Sequence, residues 1–396
     1  MNIIHIEDFF HPSAGYQLNI LAKFMVKQGH SLTIVTSQMD KVPDNLTKFF
    51  GKDKIESKDN EYTQKNGVSI IRLPLKGFIS GRAVFDDKLF KTINKLKPDI
   101  LFIHGNDTLT AMRFLLRLKR INCTIVMDSH MLEMASANKF YKLYRLLYRK
   151  VFTPIIVKNR IPVIRTQDDP YVEKCLGIPL TQSPWISVGS DTLLFHPDEF
   201  AKESFRERNA IGKDDYVILY AGKLDESKGG MFLAKSFMQK FMTNRNIVLV
   251  IVGNLAGVYG KEVEDIISKS ENRIIHFQTQ KYTDLPKFYQ AADLCVFPKQ
   301  CSLSFYDAQA CGLPVIAEDN SINVDRLKHG NGFTFKAGDI QDFRGKILNC
   351  SEMNEVEFKQ MRDNAYNYVK ENFDYEDISR QYTDILEIEY RKHLGD

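Results

Sequence analysis

Short apolar runs separated by longer amphipathic stretches recur along the chain. In the first half these runs lie at 3–6, 31–36, 100–103, 124–127 and 163–164. Helical periodicity from Tyr16 to Gln28 separates the first two runs. Parallel strands buried on both faces are apolar throughout, so strands alternating with helices predict an α/β fold with a doubly wound parallel sheet.

A second cycle of the same kind begins near residue 216. Its apolar runs lie at 216–221, 248–252, 274–277, 294–297 and 315–317. Before the last run, Gly312 and Pro314 are expected to end a short helix, because neither residue continues a helix well. The two halves share this architecture without a visible sequence repeat.

The chain is predicted to form two domains and a helical tail. A chain of 396 residues is too long for one hydrophobic core of ordinary size and suits two domains of roughly 150–200 residues each. We place an N-terminal domain at 1–195, a C-terminal domain at 196–370, and a last helix at 371–396 that crosses back to the N-terminal domain. In such sheets, ligands bind at the carboxyl ends of the strands.

Composition argues against several classes of protein. A net charge of +4, without a nucleic-acid motif, gives no support for a nucleic-acid partner. The six cysteines form no CxxC pair, which favours reduced thiols and gives zinc little support. The chain opens directly with a strand, and no apolar run approaches the roughly 20 residues of a membrane span. We therefore expect a cytoplasmic protein, soluble or peripherally bound to a membrane.

The segment that leads into the 315–317 strand is the first candidate ligand site. Ser302, Leu303 and Ser304 precede a short helix, whose first N–H groups are suited to phosphate. Asp307 lies one turn into that helix. The pattern fits a nucleotide diphosphate pocket, and it fits a further βαβ unit with a capped helix about equally well.

Two more loops follow strands at the edge where ligands bind. After the run at 216–221, Lys223 and Lys228 enclose a polar turn. Their ammonium groups would neutralise a diphosphate leaving group, or they are solvated surface lysines. The first loop carries Gly15, which lets the backbone approach a ligand, but it lacks GxGxxG and so gives little support to a dinucleotide.

An ordered set of motifs resembles the GT-B glycosyltransferases of glycosyltransferase family 4 over nearly the whole chain. The motifs lie at 12–17, 28–33, 187–197, 221–229, 252–254, 284–293 and 307–316. The resemblance implies two Rossmann-like domains facing a cleft. It also implies a retaining, metal-independent transfer of a sugar from a nucleotide-sugar donor, with no cofactor.

The resemblance assigns roles to single residues. Lys223 and Lys228 would bind the diphosphate, and Asp307 would hold the ribose hydroxyls. His130, at the end of a strand, would lie near the reacting sugar, although a lone histidine usually has a structural role. Further donor contacts are expected at Gly15, Tyr16, Gly222, Gln280, Lys281, Lys299, Ser302, Leu303 and Ser304.

One motif position departs from the family pattern. Lys299 stands where the family has the first of two glutamates, which faces the donor sugar. Three interpretations remain open. The donor sugar is differently substituted or acidic, or a local shift lets Gln300 or Ser302 take over its hydroxyls, or catalysis is lost. In the last case the chain would be a nucleotide-sugar-binding subunit of a glycosyltransferase complex.

The segment 139–165 bears on the acceptor. It holds eight Lys or Arg residues, no Asp or Glu, and interleaved Tyr, Phe and Leu. Such a helix suits an anionic membrane surface, or it is a helix with a core-facing apolar stripe and solvated charges. We expect a UDP-linked donor and a glycan or lipid-linked glycan acceptor, at the inner face of the cell membrane, in bacterial surface polysaccharide synthesis.

Overall fold

The computed structural model describes residues 1–39, 42, 51–79, 81–133, 141–299 and 302–395. It divides the chain into two compact units. The N-terminal unit comprises Met1–Val188 and Tyr375–Asp396, and the C-terminal unit comprises Gly189–Asp374.

The N-terminal unit is built on six parallel strands in the order β3-β2-β1-β6-β7-β8. These are β1 (Asn2–Ile6), β2 (Ser31–Ser37), β3 (Ser69–Leu73), β6 (Ile100–Ile103), β7 (Thr124–Ser129) and β8 (Val163–Arg165). An antiparallel hairpin is formed by β4 (Leu75–Ile79) and β5 (Arg82–Phe85). The strand order reverses between β1 and β6, which is where open α/β sheets bind ligands.

Five α-helices of this unit precede the C-terminal unit in the described part of the chain. They are α1 (Gln17–Lys27), α2 (Ile55–Asn66), α3 (Lys88–Leu96), α4 (Leu109–Leu115) and α5 (Tyr141–Lys158). Every residue of β6 is buried, as a central parallel strand covered on both faces requires.

The C-terminal unit repeats the same topology. Its six parallel strands follow the order β11-β10-β9-β12-β13-β14, with the reversal between β9 and β12. They are β9 (Tyr216–Ala221), β10 (Ile247–Val252), β11 (Arg273–Phe277), β12 (Leu294–Phe297), β13 (Val315–Glu318) and β14 (Gly332–Phe335). The predicted doubly wound parallel sheets are confirmed in both units.

The helices of the C-terminal unit connect these strands and follow them. They are α6 (Glu199–Arg208), α7 (Gly230–Ser236), α8 (Gly257–Ser268), α9 (Pro286–Ala291), α10 (Ser304–Ala310), α11 (Ser321–Leu327), α12 (Ile340–Ser351) and α13 (Glu355–Asn372). Buried residues of β9, β10 and α12 form one apolar core, which fixes the strand ends that carry the candidate site.

The last helix, α14 (Tyr375–Leu394), belongs to the N-terminal unit and packs on α1 and β7. Tyr382 and Leu386 are fully buried there. Gln17 donates a 2.6 Å hydrogen bond to the Tyr382 hydroxyl. Among the described residues, no helix has the length and apolarity needed to cross a bilayer.

Candidate functional site

The predicted basic turn lies at the carboxyl end of β9, beside the reversal in strand order. Oδ1 of Asp225 accepts hydrogen bonds from the backbone N of Lys228 at 3.0 Å and from Oγ of Ser227 at 2.6 Å. The Tyr220 hydroxyl donates to the Lys223 carbonyl at 2.5 Å. Lys223 is exposed and Lys228 is half-buried. The backbone that carries both lysines is therefore held in place before any ligand binds.

Two glycines bring the ends of β9 and β10 together. A Cβ on Gly253 would lie 1.8 Å from the carbonyl oxygen of Gly222, which no real contact allows. The N–H of Gly222 donates to the Val252 carbonyl at 3.0 Å. Because only glycine fits at 253, this position supports the backbone from which the lysine turn begins.

Lys299 follows β12 and lies against the same turn. Its Nζ donates to the Glu226 carbonyl at 3.3 Å. A Cβ on Gly229 would lie 3.0 Å from the Cβ of Lys299, and Gly229 has a φ of +75°. The structure thus brings a third lysine to the turn that holds Lys223 and Lys228.

The segment after Lys299 leads into α10. Gln300 and Cys301 lie outside the described residues. The Ser302 carbonyl accepts a hydrogen bond from Arg326 at 3.3 Å, Leu303 is 40% exposed, and Ser304 begins the helix.

Asp307 is buried in α10, with 7% of its surface exposed. Its Oδ1 accepts hydrogen bonds from the Ser190 hydroxyl at 2.6 Å and from the Tyr282 hydroxyl at 3.4 Å. Burial raises the pKa of Asp307 to about 7, although both hydrogen bonds act to lower it. The carboxyl group therefore titrates near neutral pH and joins the segment after β11 to α10.

The residues expected along the base follow β11. Gln280 is half-buried and donates through Nε2 to the Gln278 carbonyl at 2.8 Å, while Lys281 is exposed. The ring of Tyr282 lies 5.1 Å from that of Phe195. The predicted donor residues of the C-terminal unit are thus spread over the carboxyl ends of β9, β11 and β12.

The N-terminal unit places the other predicted residues at the equivalent edge of its sheet. Gly15 and Tyr16 end the loop after β1, and Tyr16, which is 55% exposed, precedes α1. The loop is closed by the Ala14 N–H, which donates to the His11 carbonyl at 3.0 Å. His130 follows β7, and its side chain is 44% exposed.

His130 is the exposed end of a buried chain of hydrogen bonds. Its Nε2 lies 3.1 Å from Oδ2 of Asp128, and Nδ1 of His104 lies 2.6 Å from the same oxygen. Nε2 of His104 lies 2.9 Å from Nδ1 of His5. The Gly105 N–H donates to Oδ1 of Asp128 at 2.7 Å. His5, His104 and Asp128 are buried.

The sequence alone did not predict roles for His5, His104, Asp128 or Glu7. The available signal was position, because Glu7 directly follows β1, His104 directly follows β6, and Asp128 is near the end of β7. Burial raises the pKa of Glu7 to about 7, with the charges of Asp8 and Asp128 adding to the effect. Glu7 therefore also titrates near neutral pH at this edge.

Three of these side chains could be considered as metal ligands. Ligand atoms of His104, Asp128 and His130 lie within 4.8 Å of one another. The same atoms, however, already share hydrogen bonds of 2.6 and 3.1 Å. We therefore interpret the group as a hydrogen-bond network.

Comparison with known proteins bears first on the C-terminal unit. Residues 201–372 match the family model of glycosyl transferases group 1. The lipopolysaccharide 1,2-N-acetylglucosaminetransferase of Salmonella typhimurium is 30% identical over 127 residues, which cover 29% of this chain and 33% of that protein. The chain thus spans about a third of the length of this curated relative.

Two solved structures extend the likeness to the whole chain. A glycosyltransferase from Rickettsia africae has a TM-score of 0.75 at 18% identity, over 100% of this chain and 99% of that one. HepE of Anabaena, in complex with UDP and glucose, has a TM-score of 0.74 at 17% identity, over 98% and 99%. The predicted GT-B fold is confirmed, and the family match lies within the C-terminal unit, at residues 201–372.

Proposed function

We propose that this chain, with its glycosyl transferases group 1 domain, transfers a sugar from a UDP-linked donor to a glycan or lipid-linked glycan acceptor. The observation that carries the proposal is the turn with Lys223 and Lys228 at the carboxyl end of β9, where a sheet of this topology binds ligands. The Anabaena neighbour is described in complex with UDP and glucose, which supports the choice of nucleotide. The Salmonella relative acts on lipopolysaccharide, which supports a role in bacterial surface polysaccharide synthesis.

In this proposal the two lysines supply the positive charge that the departing diphosphate needs, so that the reaction is independent of metal. Negative charge develops on the diphosphate as the bond between sugar and phosphate breaks. Ammonium groups fixed in advance stabilise that charge without reorganisation. A phosphate oxygen accepts the proton of the acceptor hydroxyl while the new bond forms on the same face, which retains the anomeric configuration.

The remaining donor contacts follow from the positions of the side chains. We place the base along Gln280 and Lys281, and the ribose at Asp307, whose hydrogen bonds with Ser190 and Tyr282 hold it in place. We place Gly222 at the diphosphate and His130 near the reacting sugar. Gly15, Tyr16, Ser302, Leu303 and Ser304 complete the proposed set.

Lys299 bears on which sugar the proposed donor carries. Its Nζ reaches the Glu226 carbonyl, so it adds a third cation to the lysine turn. A donor sugar that carries an acidic substituent would use this cation, whereas a neutral hexose would not. We therefore favour a differently substituted or acidic sugar over a donor that the family's glutamate would hold.

The acceptor side of the proposal rests on α5. Its apolar residues Tyr148, Phe152 and Ile156 are buried and so account for the core-facing stripe. Leu143, Leu146 and Leu147 are instead 66%, 52% and 54% exposed. Exposed basic residues lie among them, at Lys142, Arg149, Lys150 and Lys158.

Exposed leucines beside positive charges are typical of a helix that binds an anionic bilayer. We therefore propose that α5 binds the cytoplasmic face of the membrane, where a lipid-linked acceptor would be found. Lys139 and Phe140, at the start of the predicted basic segment, lie outside the described residues.

The test of the proposed function is binding and turnover with a panel of UDP, GDP, ADP and CDP sugars. Calorimetry measures affinity, and released nucleotide measures slow hydrolysis of the donor. Tight binding of one nucleotide with hydrolysis supports the transferase. Binding without turnover, even with candidate acceptors, would instead favour a nucleotide-sugar-binding subunit, and failure to bind any of them would contradict the site.

A further inference from the structure

The hydrogen bonds around Asp128 define where its neighbours carry protons. Oδ1 accepts from the Gly105 N–H, and Oδ2 lies 2.6 Å from His104 and 3.1 Å from His130. Burial alone would raise the pKa of Asp128, but the charge of His130 and the hydrogen bonds of His104 and His130 hold it well below its usual range. Asp128 is therefore an ionised acceptor, and both histidines donate to it.

The hydrogen bond between His104 and His5 can be assigned in the same way. Nδ1 of His5 lies 2.9 Å from Nε2 of His104, and we assign His5 as the donor in this hydrogen bond. Nε2 of His5 is buried without a hydrogen-bond partner in the described part of the chain, which suits an unprotonated nitrogen. Burial lowers the pKa of His5 well below its ordinary value. His5 is therefore a neutral anchor for His104.

The hydrogen bonds of His130, at the exposed end of this network, indicate by contrast a protonated imidazole. Nδ1 of His130 lies 3.3 Å from Oγ1 of Thr166, and that hydroxyl lies 3.1 Å from the Ser129 carbonyl. Thr166 has one proton, which it gives to the carbonyl. Its oxygen can then only accept from His130, so both ring nitrogens of His130 are donors.

The charged groups that face His130 agree with this assignment. Burial acts to lower the pKa of His130, but Asp128, Glu7 and Asp107 raise it above its ordinary value. On β8, the guanidinium of Arg165 is directed away, to the Ser183 carbonyl and to Asp168. The acidic groups that raise this pKa thus belong to β7 and to the segments after β1 and β6.

We propose that Asp128, His104 and His5 are positioning residues that hold His130 as an imidazolium. When the substrate binds, the Nδ1–H of His130 leaves Thr166 and donates its hydrogen bond to an anionic oxygen of the substrate. This inference rests on the proposed function, which supplies that oxygen as a donor phosphate or as a sugar carboxylate. The 3.3 Å bond to Thr166 is long, and a charge-assisted bond to an anion is shorter and stronger. The side chain of His130 is 44% exposed, so a ligand can reach it.

The charge state is tested without reference to activity. Long-range ¹H–¹⁵N spectra of the full-length protein, labelled at histidine, are recorded from pH 5 to 9, with His130→Gln to assign the signal. We expect both nitrogens of His130 to be protonated at pH 7, with a midpoint above the usual value of about 6.5. Asp128→Asn should lower that midpoint by about one unit or more, while the signal of His196, in the C-terminal unit, stays unchanged.

A neutral His130 at pH 7 in the wild type, or a midpoint that Asp128→Asn leaves in place, overturns the proposal. Because Asp128 is fully buried, circular dichroism checks that its variant folds. The wild-type titration decides the charge state even where that variant does not fold.

The ligand contact is tested by binding of UDP, UDP-glucose and UDP-glucuronate to the wild type and to His130→Gln. A phosphate contact weakens all three by about tenfold or more in the variant, and a carboxylate contact weakens UDP-glucuronate alone. Equal affinities for the two proteins overturn the contact. If the wild type binds none of these ligands, the proposed function fails and the contact with it, while the titration still decides the charge of His130.

Discussion

Lys228 lies in a turn whose backbone is bonded to Asp225, so its replacement should remove charge without moving the loop. We expect Lys228→Ala to lower kcat by about 10²–10³, the effect of losing one preorganised contact to a developing charge. Steady-state donor hydrolysis measures this. Lys235→Ala, an exposed lysine in the next helix, serves as the control and should leave kcat unchanged. A loss of less than about threefold for Lys228→Ala would refute the assigned role.

Asp307 makes stability depend on pH in a direction opposite to that of most carboxylates. The folded protein holds its proton up to about pH 7, whereas the unfolded chain loses it near pH 3.8. The folded state thus binds more protons between these values, and stability falls as the pH rises through them. Asp307→Asn keeps an acceptor for Ser190 and should reduce the loss of stability between pH 5 and 7.5 by on the order of 2 kcal/mol.

Chemical denaturation at the two pH values gives this difference directly. Asp214→Asn, an exposed acidic residue of the same unit, is the matched control. The same pH dependence in wild type and Asp307→Asn would show that the buried carboxyl group does not retain its proton.

Gly253 and Gly345 offer a matched pair of substitutions. An alanine Cβ at 253 meets the Gly222 carbonyl, while one at 345, inside α12, meets nothing within 4 Å. Gly253→Ala should therefore destabilise the C-terminal unit by about 2 kcal/mol or more and weaken donor binding. Gly345→Ala should be neutral or stabilise by up to about 1 kcal/mol, because alanine favours a helix. Thermal unfolding compares the two, and equal effects would contradict the close approach of β9 and β10.

At the scale of single residues, the sequence indicated candidate functional residues only where they lie close together along the chain. Lys223 and Lys228 lie five positions apart, and a resemblance assigned them roles that remain to be tested. The chain from His5 through His104 to Asp128 joins residues far apart in sequence, and only the pairing of β1, β6 and β7 brings them together. Spacing along one segment could not reveal it.

At the scale of elements, α5 provides the test of membrane binding. Leu143→Glu with Leu147→Glu places negative charge among exposed leucines and should abolish co-flotation with vesicles rich in anionic lipid. Val356→Glu, at a position 80% exposed in the C-terminal unit, is the control and should float like the wild type. Wild-type flotation that does not depend on anionic lipid would refute the proposal.

Most of the strands that the sequence predicted are buried on both faces, although the edge strand β11, which has no buried residue, was predicted as well. Every residue of β9 and β10 is buried, and their unbroken apolar runs made them visible. Ser69 and Arg72 interrupt the apolar pattern of β3, which left it unrecognised, and β14, Gly-Phe-Thr-Phe, is too short and mixed to separate from a loop. Edge strands are half-covered, so their patterns carry less of the hydrophobic signal.

At the scale of the whole molecule, α14 returns the end of the chain to the N-terminal unit. Leu386 of this helix is fully buried, whereas Ile388, two residues on, is 52% exposed. We expect Leu386→Ala to cost about 2–5 kcal/mol, because it leaves a cavity, and Ile388→Ala to cost far less. Denaturant unfolding measures both, and similar costs would show that α14 does not complete that core.

This return of the chain has a consequence for biosynthesis. The first 188 residues leave the ribosome long before the helix that covers α1 is made. At roughly 5–20 residues per second, residues 189–374 take on the order of 10–40 s to translate. The C-terminal unit is continuous in sequence and can fold once residue 374 has emerged, but the N-terminal unit is complete only after α14 has been made. Nascent chains stalled before Tyr375 therefore expose the apolar surface of α1, which makes them clients for chaperones.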